Sequence, residues 1–259
     1  MTESDRNPLI ISSLAKAMTL LRAFGDNNSV LGITDLVRLT GIEKSSVQRI
    51  LATLYAEGML NRDNRTRRYR LSNQWLHMAY AHYVAEPLTS QVLPRLFDLQ
   101  QQIGQSLNLA EICGTSIIYS VRMPVKRTNF EGTLIGRTHP ALNTSGGRAI
   151  LATWDADARR EAVETWPVGQ YTPRTTTDRG EIAELIEQAR EDGFAISLQE
   201  MLLNEIGIGA PIKSSTGKAR AAIHCSVSMA DWSVERVRRE IAPILVDTAR
   251  TFFVPGEEE

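Results

Sequence analysis

The sequence contains little cysteine, and it lacks the long apolar runs that cross membranes. Two cysteines in 259 residues cannot form a disulfide framework, so we expect Cys113 and Cys225 to be reduced thiols. No apolar run approaches the roughly 18–20 residues that span a bilayer. The first residues also lack the basic-then-apolar pattern of a signal peptide. These absences predict a cytoplasmic protein without a membrane partner.

Patterns typical of catalytic and metal sites are missing as well. His224 and Cys225 are adjacent, so on a strand their side chains point to opposite faces and cannot form a nucleophile–base pair. His77 and His82 are separated by about 500° around a helix, which is poor geometry for a shared metal. No Gly-Lys phosphate-binding loop occurs. The sequence therefore predicts no enzyme activity, no catalytic residue, no metal and no cofactor.

Charge is distributed unevenly, although the whole chain has a net charge of −1. Residues 1–70 contain 11 Lys/Arg and 7 Asp/Glu, a net charge of +4, whereas the rest of the chain has a net charge of −5. A basic small segment followed by an acidic large one is typical of a protein in which only the first part contacts a polyanion such as DNA.

Periodicity divides the chain into three predicted parts and favours the α+β class. Over 9–71, three short helices precede a two-stranded hairpin, which together form a winged helix-turn-helix. Over 72–86, an amphipathic stretch rich in aromatic residues predicts a linker helix. Over 87–255, mixed helices and strands predict a larger α/β domain that has an antiparallel sheet with helices beside it. Its last predicted helix, Val234–Phe253, is continuous.

The third predicted helix, over 43–56, has one apolar and one polar face. Val47, Ile50 and Leu51 share the apolar face and point into a small core. The opposite face carries donors suited to phosphates and base edges: Lys44, Ser45, Ser46, Gln48 and Arg49. This pattern also occurs in helix pairs that do not bind DNA. Together with the sharp turn at Thr40-Gly41, it predicts a recognition helix in the major groove.

The hairpin that follows is rich in arginine. Arg68 and Arg70 flank Tyr69, so strand alternation places both arginines on one face and the tyrosine in the core. A solvated charged hairpin is the alternative interpretation. The position directly after a helix-turn-helix favours contact with phosphates or a minor groove, and the predicted contacts are Arg65, Arg67 and Arg68.

Over residues 10–253 the chain resembles the IclR family of bacterial transcriptional regulators. The resemblance rests on Ser13–Ala17, Ile33–Leu36, Thr40–Leu54, Gly136–Pro140, Thr144–Ala152, Gly193–Ala195, Gln199-Glu200 and Ile208–Ile212. It implies a GAF-like effector domain and dimers, often paired into tetramers, on pseudo-palindromic operators. Arg137 and Thr144-Ser145 resemble the branch that controls breakdown of aromatic acids. Met18, Leu20, Leu21 and the linker helix are candidate dimer surfaces, with ordinary core packing as the alternative.

A sensor domain needs a concave pocket with a few directed polar groups, and we identify candidates in the second part. Ser145, Gly146 and Gly147 begin an apolar helix whose backbone N–H groups can receive a carboxylate, although a tight turn explains them equally. Arg148 is expected to be a surface or salt-bridged residue. His224 and Ser226 share one strand face, where a core histidine bonded to backbone is the alternative.

Three further effector candidates follow from the resemblance. Asn108 lies on a strand at a matching position, Ser197 stands where many members have Asp, and Gly207 stands where many have Cys. The predicted function is a ligand-responsive DNA-binding regulator, first of all a repressor, that senses an aromatic or other small carboxylate. The alternatives are an activator of the same fold and a ligand-binding protein that does not bind DNA.

Overall fold

The structure is a computed structural model that describes residues 9–25, 28–125 and 135–252. The chain forms two compact units, Met1–Ala85 and Glu86–Glu259, which we call the DNA unit and the effector unit after the functions that the sequence predicts for them. Residues 253–255, which end the predicted effector domain, lie outside the described residues.

The DNA unit contains four helices and one hairpin within its described residues. They are α1 (Ser12–Arg22), α2 (Ile33–Thr40), α3 (Lys44–Ala56), β1 (Leu60–Arg62), β2 (Tyr69–Leu71) and α4 (Gln74–Ala85). The two strands pair antiparallel, with Leu60 opposite Leu71. Leu31 bridges to Tyr69 through two backbone hydrogen bonds, so the segment before α2 extends the small sheet. This is a winged helix-turn-helix followed by a helix.

A small apolar core holds α1, α2, α3 and the hairpin together. Its buried members are Leu20, Phe24, Leu31, Leu36, Val47, Leu51, Leu60 and Tyr69. Gly41 ends α2 with a φ of +68°, a left-handed conformation that glycine adopts without steric cost, and this makes the sharp turn into α3. Leu20 is fully buried and belongs to this core, so it is not a dimer surface, whereas Met18 is exposed.

The effector unit is built on one six-stranded antiparallel sheet. Its elements are α5 (Pro87–Ile103), β3 (Ser106–Cys113), β4 (Ser116–Met123), β5 (Thr138–Pro140), α6 (Ser145–Leu151), α7 (Ala156–Thr165), α8 (Arg179–Asp192), β6 (Ala195–Leu198), β7 (Glu205–Lys213), β8 (Ala219–Ser228), α9 (Val234–Glu240) and α10 (Ala242–Arg250). The strand order is β5-β4-β3-β8-β7-β6. The neighbours β3 and β8 are far apart in sequence, so tertiary packing decides their register.

The two faces of this sheet differ in what covers them. One face is apolar and packs against α5, α9 and α10, with Leu107, Ile223 and Cys225 among its buried residues. At one end of the opposite face, a second apolar cluster joins the sheet to α6, α7 and α8. The rest of that face carries polar side chains.

The C-terminal helix differs from its prediction. The stretch predicted as one helix is two, α9 and α10, separated at Ile241. Pro243 causes the break, because proline has no backbone N–H and its ring clashes with the preceding turn of a continuous helix. It is tolerated where it stands, in the first turn of α10.

Candidate DNA interface and effector site

The polar face of α3 lies on the surface of the DNA unit. Lys44, Ser45, Gln48 and Arg49 are exposed, and Ser46 is half-buried. Val47 and Leu51, on the other side of the helix, are completely buried. Ser45 Oγ donates a 2.9 Å hydrogen bond to Glu43 Oε1, so part of its capacity is used within the helix start. The five predicted donors therefore form one surface on the first two turns of α3.

The tip of the hairpin is shaped by Asp63. Its Oδ1 accepts hydrogen bonds from the backbone N–H groups of Thr66, at 2.6 Å, and Arg65, at 2.9 Å. These bonds, that from Thr66 foremost, lower the pKa of the Asp63 carboxyl below its usual range. The turn projects Arg65 and Arg67 into solvent, and neither side chain has an ion-pair partner among the described residues.

Arg68 has a different role from the other hairpin arginines. Its guanidinium forms a 2.7 Å ion pair with Asp35 and donates to the carbonyl of Val30 at 3.2 Å. The same Asp35 oxygen accepts the N–H of Gly32 at the start of α2. Arg68 therefore fastens the hairpin to α2, and its charge is partly neutralised inside the unit.

In the effector unit, strand register aligns polar residues on the sheet face opposite the apolar one. Two neighbouring rows cross the sheet, and alternation along each strand puts both rows on this face. The first row is Arg122, Asn108, His224 and Gly209, and the second is Ser106, Ser226, Gly207 and Ser197. Because β7 contributes only glycines to these rows, the start of α6 packs directly on its backbone.

Three polar side chains converge over Gly207, and we call Ser145, Ser197, Gly207 and His224 the Gly207 cluster. A Cβ atom at Gly207 would lie 2.6 Å from Ser197 Oγ and 3.1 Å from both His224 Nε2 and Ser145 Oγ. Ser145 is completely buried, and His224 and Ser197 are only 5% and 8% exposed. Within the described residues, Ser145 Oγ has no hydrogen-bond partner.

His224 is held by a side chain and not by backbone. Asn108 Nδ2 lies 2.9 Å from His224 Nδ1, and both residues are buried. Burial, together with the nearby charges of Arg122 and His139, lowers the pKa of His224 to about 3, so its ring is neutral at pH 7. An amide NH₂ can only donate, so Nδ1 accepts and the ring proton resides on Nε2, next to Gly207.

The two glycines that begin α6 serve close packing. A side chain at Gly147 would overlap the backbone carbonyl of Ala141, and the Gly147 N–H donates to Thr144 Oγ1 at 3.1 Å. A Cβ at Gly146 would lie 3.1 Å from the Cβ of Ala110 on the sheet. Neighbouring atoms pack closely against both glycines, and the N–H of Gly147 is already hydrogen-bonded, as the tight-turn alternative predicts. Of these three residues, Ser145 sends its side chain into the Gly207 cluster.

A buried ion pair fixes the position of α6. Arg148 is completely buried, and its two terminal nitrogens contact the Glu200 carboxylate at 2.5 and 2.8 Å. Arg148 Nε also donates to the carbonyl of Leu142, and Glu200 accepts the N–H of Thr176 at 3.2 Å. The pair ties α6 to the connection between β6 and β7. The sequence predicted that Arg148 is either a surface residue or a salt-bridged one. It is salt-bridged and completely buried.

Sequence reasoning missed Arg122 and Tyr119. The Arg122 guanidinium lies 5.0 Å from the centroid of the Tyr119 ring, which in turn lies 5.4 Å from the His224 ring. Glu205 is in electrostatic range of both Arg122 and Tyr119, and burial raises the pKa of its carboxyl. No sequence signal identifies Arg122, because its alignment with Asn108 depends on the β3–β4 register and on an irregularity at Leu109/Ala110.

A cleft of about 500 Å³ opens at the edge of the sheet where β3 and β7 begin and β8 ends. It combines polar residues with apolar ones, and Glu205, Ser226, Leu202, Leu203 and Val125 are among those that line it. The predicted site residue Ser226 therefore faces this cleft, which Glu205 also lines. Since Ser226 pairs with Gly207 across the strands, the cleft adjoins the Gly207 cluster.

The described residues contain neither a metal-ligand group nor a membrane-spanning helix. In these parts of the chain, His, Cys, Asp and Glu side chains nowhere group as metal ligands do. No helix there combines the length and the hydropathy needed to cross a bilayer.

An exposed cationic helix face in a winged helix-turn-helix, in one chain with an α/β unit that encloses polar side chains, defines a DNA-binding transcriptional regulator with an effector-binding domain. The pattern of the IclR helix-turn-helix domain matches residues 13–64, and that of the bacterial transcriptional regulator IclR C-terminal domain matches residues 81–252. The chain belongs to the IclR family of bacterial transcriptional regulators.

Individual relatives align with most of the chain. It is 28% identical over 245 residues to the Pca regulon regulatory protein of Pseudomonas putida, covering 94% of this chain and 84% of the relative. It is 27% identical over 256 residues to the p-hydroxybenzoate hydroxylase transcriptional activator of Acinetobacter baylyi, covering 96% and 93%. The crystal structure of an IclR homologue from Microbacterium hydrocarbonoxydans, complexed with 4-hydroxybenzoate, has a TM-score of 0.73 at 22% identity and covers 93% of this chain and 100% of that one. The predicted family and fold are confirmed.

Proposed function

We propose that the chain binds a pseudo-palindromic operator as a homodimer or homotetramer, and that a small organic acid bound in the effector unit changes the operator affinity. The observation that best supports this proposal is the exposed set of hydrogen-bond donors on α3, in the same unit as the arginine-rich hairpin. An aromatic acid is the first candidate, because relatives are named for the Pca regulon and for p-hydroxybenzoate hydroxylase, and a homologue is complexed with 4-hydroxybenzoate. We propose a cytoplasmic repressor, with residues 9–71, 72–86 and 87–255 as DNA-binding domain, linker and effector domain.

The proposed DNA contacts divide by chemistry. Arg49 and Gln48, on the exposed face of α3, suit the edges of guanine and adenine in the major groove. Lys44, with Ser45 and Ser46 in the same first turn, suits phosphates. Arg65 and Arg67 project from the hairpin toward the strand beside the groove. Arg68 contributes by fixing the hairpin to Asp35, and not by direct contact alone.

The assembly proposal rests on apolar surface in the DNA unit. Leu14 and Met18 on α1 are exposed. Helix α4 has no buried residue, and its apolar side chains Leu76, Tyr80 and Val84 are each more than half exposed. Exposed apolar helix faces favour burial against a second copy. A two-fold dimer would present two α3 helices to successive major grooves, which is what a pseudo-palindromic operator requires.

A gel-shift titration with the chain's own upstream DNA tests the operator proposal. We expect the double substitution Lys44→Ala with Arg49→Ala to weaken binding at least about tenfold, since each lost phosphate or base contact removes affinity. The matched control replaces two cations of the effector unit's sheet, Lys213→Ala with Arg220→Ala, and should bind as the wild type does. Unchanged affinity in the α3 variant, or no shift and no salt dependence in the wild type, would contradict the proposal.

Thermal-shift screening of organic acids tests the effector proposal. A ligand that binds only the folded protein stabilises it by RT ln(1 + [L]/Kd), so its melting temperature rises with the ratio of ligand concentration to Kd. We expect an acid that stabilises the wild type to stabilise His224→Leu much less. Equal stabilisation of both proteins would remove His224 from the site.

A reporter gene tests repression. It is fused to the promoter DNA that the protein binds in the gel shift, and its expression is measured with and without the gene that encodes this chain. Expression should rise when that gene is deleted.

A further inference from the structure

We propose, resting on the DNA-binding function above, that a groove between α1 and α3 binds the sugar-phosphate strand of the operator, with Lys16 as its charged contact. We call it the α1–α3 groove. It adds a second contact surface to the face of α3 and the arginine-rich hairpin. Sequence reasoning did not identify this surface, because Lys16 is the one cation in the first two turns of α1 and shows no pattern with its neighbours.

The α1–α3 groove lies between the first half of α1 and one side of α3, and it encloses about 580 Å³. Its polar lining consists of two cations and four hydroxyl side chains, which are Lys16, Arg49, Ser12, Ser13, Ser46 and Thr53. The other lining residues are alanine, leucine and isoleucine, so no carboxylate faces the groove. Cations and hydroxyls without a carboxylate form a surface that suits an anion, and these are the side chains that contact phosphates in protein–DNA complexes.

The groove continues the exposed polar face of α3. At about 100° per residue, Ser46, Arg49 and Thr53 share one side of this helix. Ser46 and Arg49 are also two of the five predicted donors of the recognition helix, so the two surfaces meet at these residues. When the start of a recognition helix lies in a major groove, a DNA strand borders it on either side. The strand on the α1 side then passes over the α1–α3 groove.

Lys16 is an unpaired cation at this position. Its side chain is exposed, and neither Lys16 nor Arg49 has an ion-pair partner among residues 9–25, 28–125 and 135–252. Lys16 can therefore bind a phosphate oxygen without first breaking a contact within the described protein. Ser13 lies one helical turn earlier on the same side of α1 and can donate its hydroxyl to the same phosphate. Counterions that the phosphate releases on meeting the lysine supply the affinity.

A second copy of the chain is the competing occupant, since Leu14 lines the groove and is also part of the candidate dimer surface. Charge disfavours this occupant. The helices with exposed apolar faces, α1 and α4, contain neither Asp nor Glu, so a copy packed here through either helix would bury Lys16 and Arg49 without a carboxylate. Buried cations without a partner are costly. Met18, the other exposed apolar residue of that surface, does not line the groove, so a dimer contact at Met18 leaves the groove open to DNA.

Salt-dependent gel shifts with the chain's own upstream DNA test the proposal. Lys16→Gln should reduce the slope of log affinity against log salt by about 1 for each bound protomer, because each phosphate contact releases about one counterion. Binding to unrelated DNA should weaken by the same factor, since a phosphate contact carries no sequence information. The matched control is Arg22→Gln, which removes an exposed cation at the other end of α1 and should keep the wild-type slope.

A negative charge placed in the groove gives a second test that leaves Lys16 in place. Ser13→Glu adds a carboxylate to the first turn of α1, where an acidic side chain stabilises a helix, so the variant should fold. It should weaken operator binding at least about tenfold, because the carboxylate faces the phosphates. Thr19→Glu adds the same charge at an exposed position of α1 outside the groove, and it should bind within about twofold of the wild type.

The outcomes separate this inference from the proposed function. If the wild type shifts its upstream DNA and either Lys16→Gln keeps the wild-type slope or Ser13→Glu keeps the wild-type affinity, the proposed function stands and this inference fails. Analytical ultracentrifugation of the free proteins tests the competing occupant. A smaller assembly for Lys16→Gln or Ser13→Glu than for the wild type would place a second copy in the groove and overturn the inference. No shift with the wild type would contradict the proposed function, and this inference with it.

Discussion

The DNA unit and the effector unit place their candidate functional side chains in opposite environments. In the DNA unit, Lys44, Gln48 and Arg49 are exposed, and the core beneath them is an apolar cluster. In the effector unit, Ser145 and His224 are buried within the fold. An exposed donor contributes little to stability, whereas a buried polar group depends on its partners. Substitutions should therefore affect affinity alone in the first unit, and affinity and stability together in the second.

The largest expected effect is on the buried ion pair of the effector unit. Arg148→Met leaves Glu200 buried without its partner, which should lower the free energy of unfolding by about 3–5 kcal/mol. Urea denaturation followed by tryptophan fluorescence measures this, since Trp154, Trp166 and Trp232 all lie in this unit. Arg160→Met, which breaks an exposed pair with Asp157, is the control and should change little. A loss below about 1 kcal/mol for Arg148→Met would mean that the pair is not essential to the unit.

The next effect separates two glycines of β7. A Cβ at Gly209 would lie 2.6 Å from the backbone carbonyl oxygen of Ser145, so Gly209→Ala should destabilise the unit by about 1–3 kcal/mol. A Cβ at Gly207 meets side-chain oxygen and nitrogen atoms, which can rotate aside. Gly207→Ala should therefore melt closer to the wild type but lose its response to the effector. Equal melting temperatures for the two variants would contradict this difference. An unchanged response of Gly207→Ala to the effector would also contradict it.

A pH-dependent effect follows from His224. Below its usual pKa of 6.5 a histidine in the unfolded chain binds a proton, whereas in the folded protein the pKa of His224 is about 3. Stability should therefore fall as pH falls below 6.5, with a limiting slope of about 1.4 kcal/mol per pH unit. Comparing urea midpoints at pH 7.5 and 5.5, His224→Gln should lose this part of the dependence, and His82→Gln, on exposed α4, should retain it. An identical dependence of the urea midpoint on pH in wild type and His224→Gln would refute this role of His224.

The smallest effect distinguishes two arginines of the hairpin. Arg68→Gln breaks the ion pair with Asp35 and should cost under about 1 kcal/mol of stability, because the pair is partly exposed. Arg67→Gln should leave stability unchanged but reduce the slope of log affinity against log salt by about 1. Thermal melts and salt-dependent gel shifts give the two quantities. The reverse assignment of effects would show that Arg68, and not Arg67, is the main phosphate contact.

The same comparison explains which features could be predicted from the sequence. The recognition helix is a local pattern: its apolar residues recur at helical spacing, and Val47 and Leu51 are indeed buried while Lys44 and Arg49 are exposed. Alternation along β8 likewise predicted that His224 and Cys225 face opposite sides of the sheet, and Cys225 belongs to the apolar cluster. Such predictions hold because they concern residues within one element.

Other features did not follow from the periodicity of the sequence. The helix predicted over Val234–Phe253 is broken because Pro243 opens a second helix, a local signal that the periodicity concealed. Leu20 has the spacing of a surface stripe, yet only the packing of α1 against α2 and α3 decides that it is core. Arg122 has no pattern of its own, and its place beside Asn108 depends on how β3 pairs with β4.

The sequence by itself determined the elements, the family and the cationic surface of the DNA unit, because periodicity, turn residues and charge act over a few residues of chain. Only the tertiary structure decided which residues form the candidate effector site. Asn108 and His224 are 116 residues apart, and Arg148 and Glu200 are 52 apart. Whether such groups meet depends on the register and packing of the whole sheet, and a buried polar group is stable only where that packing supplies its partner.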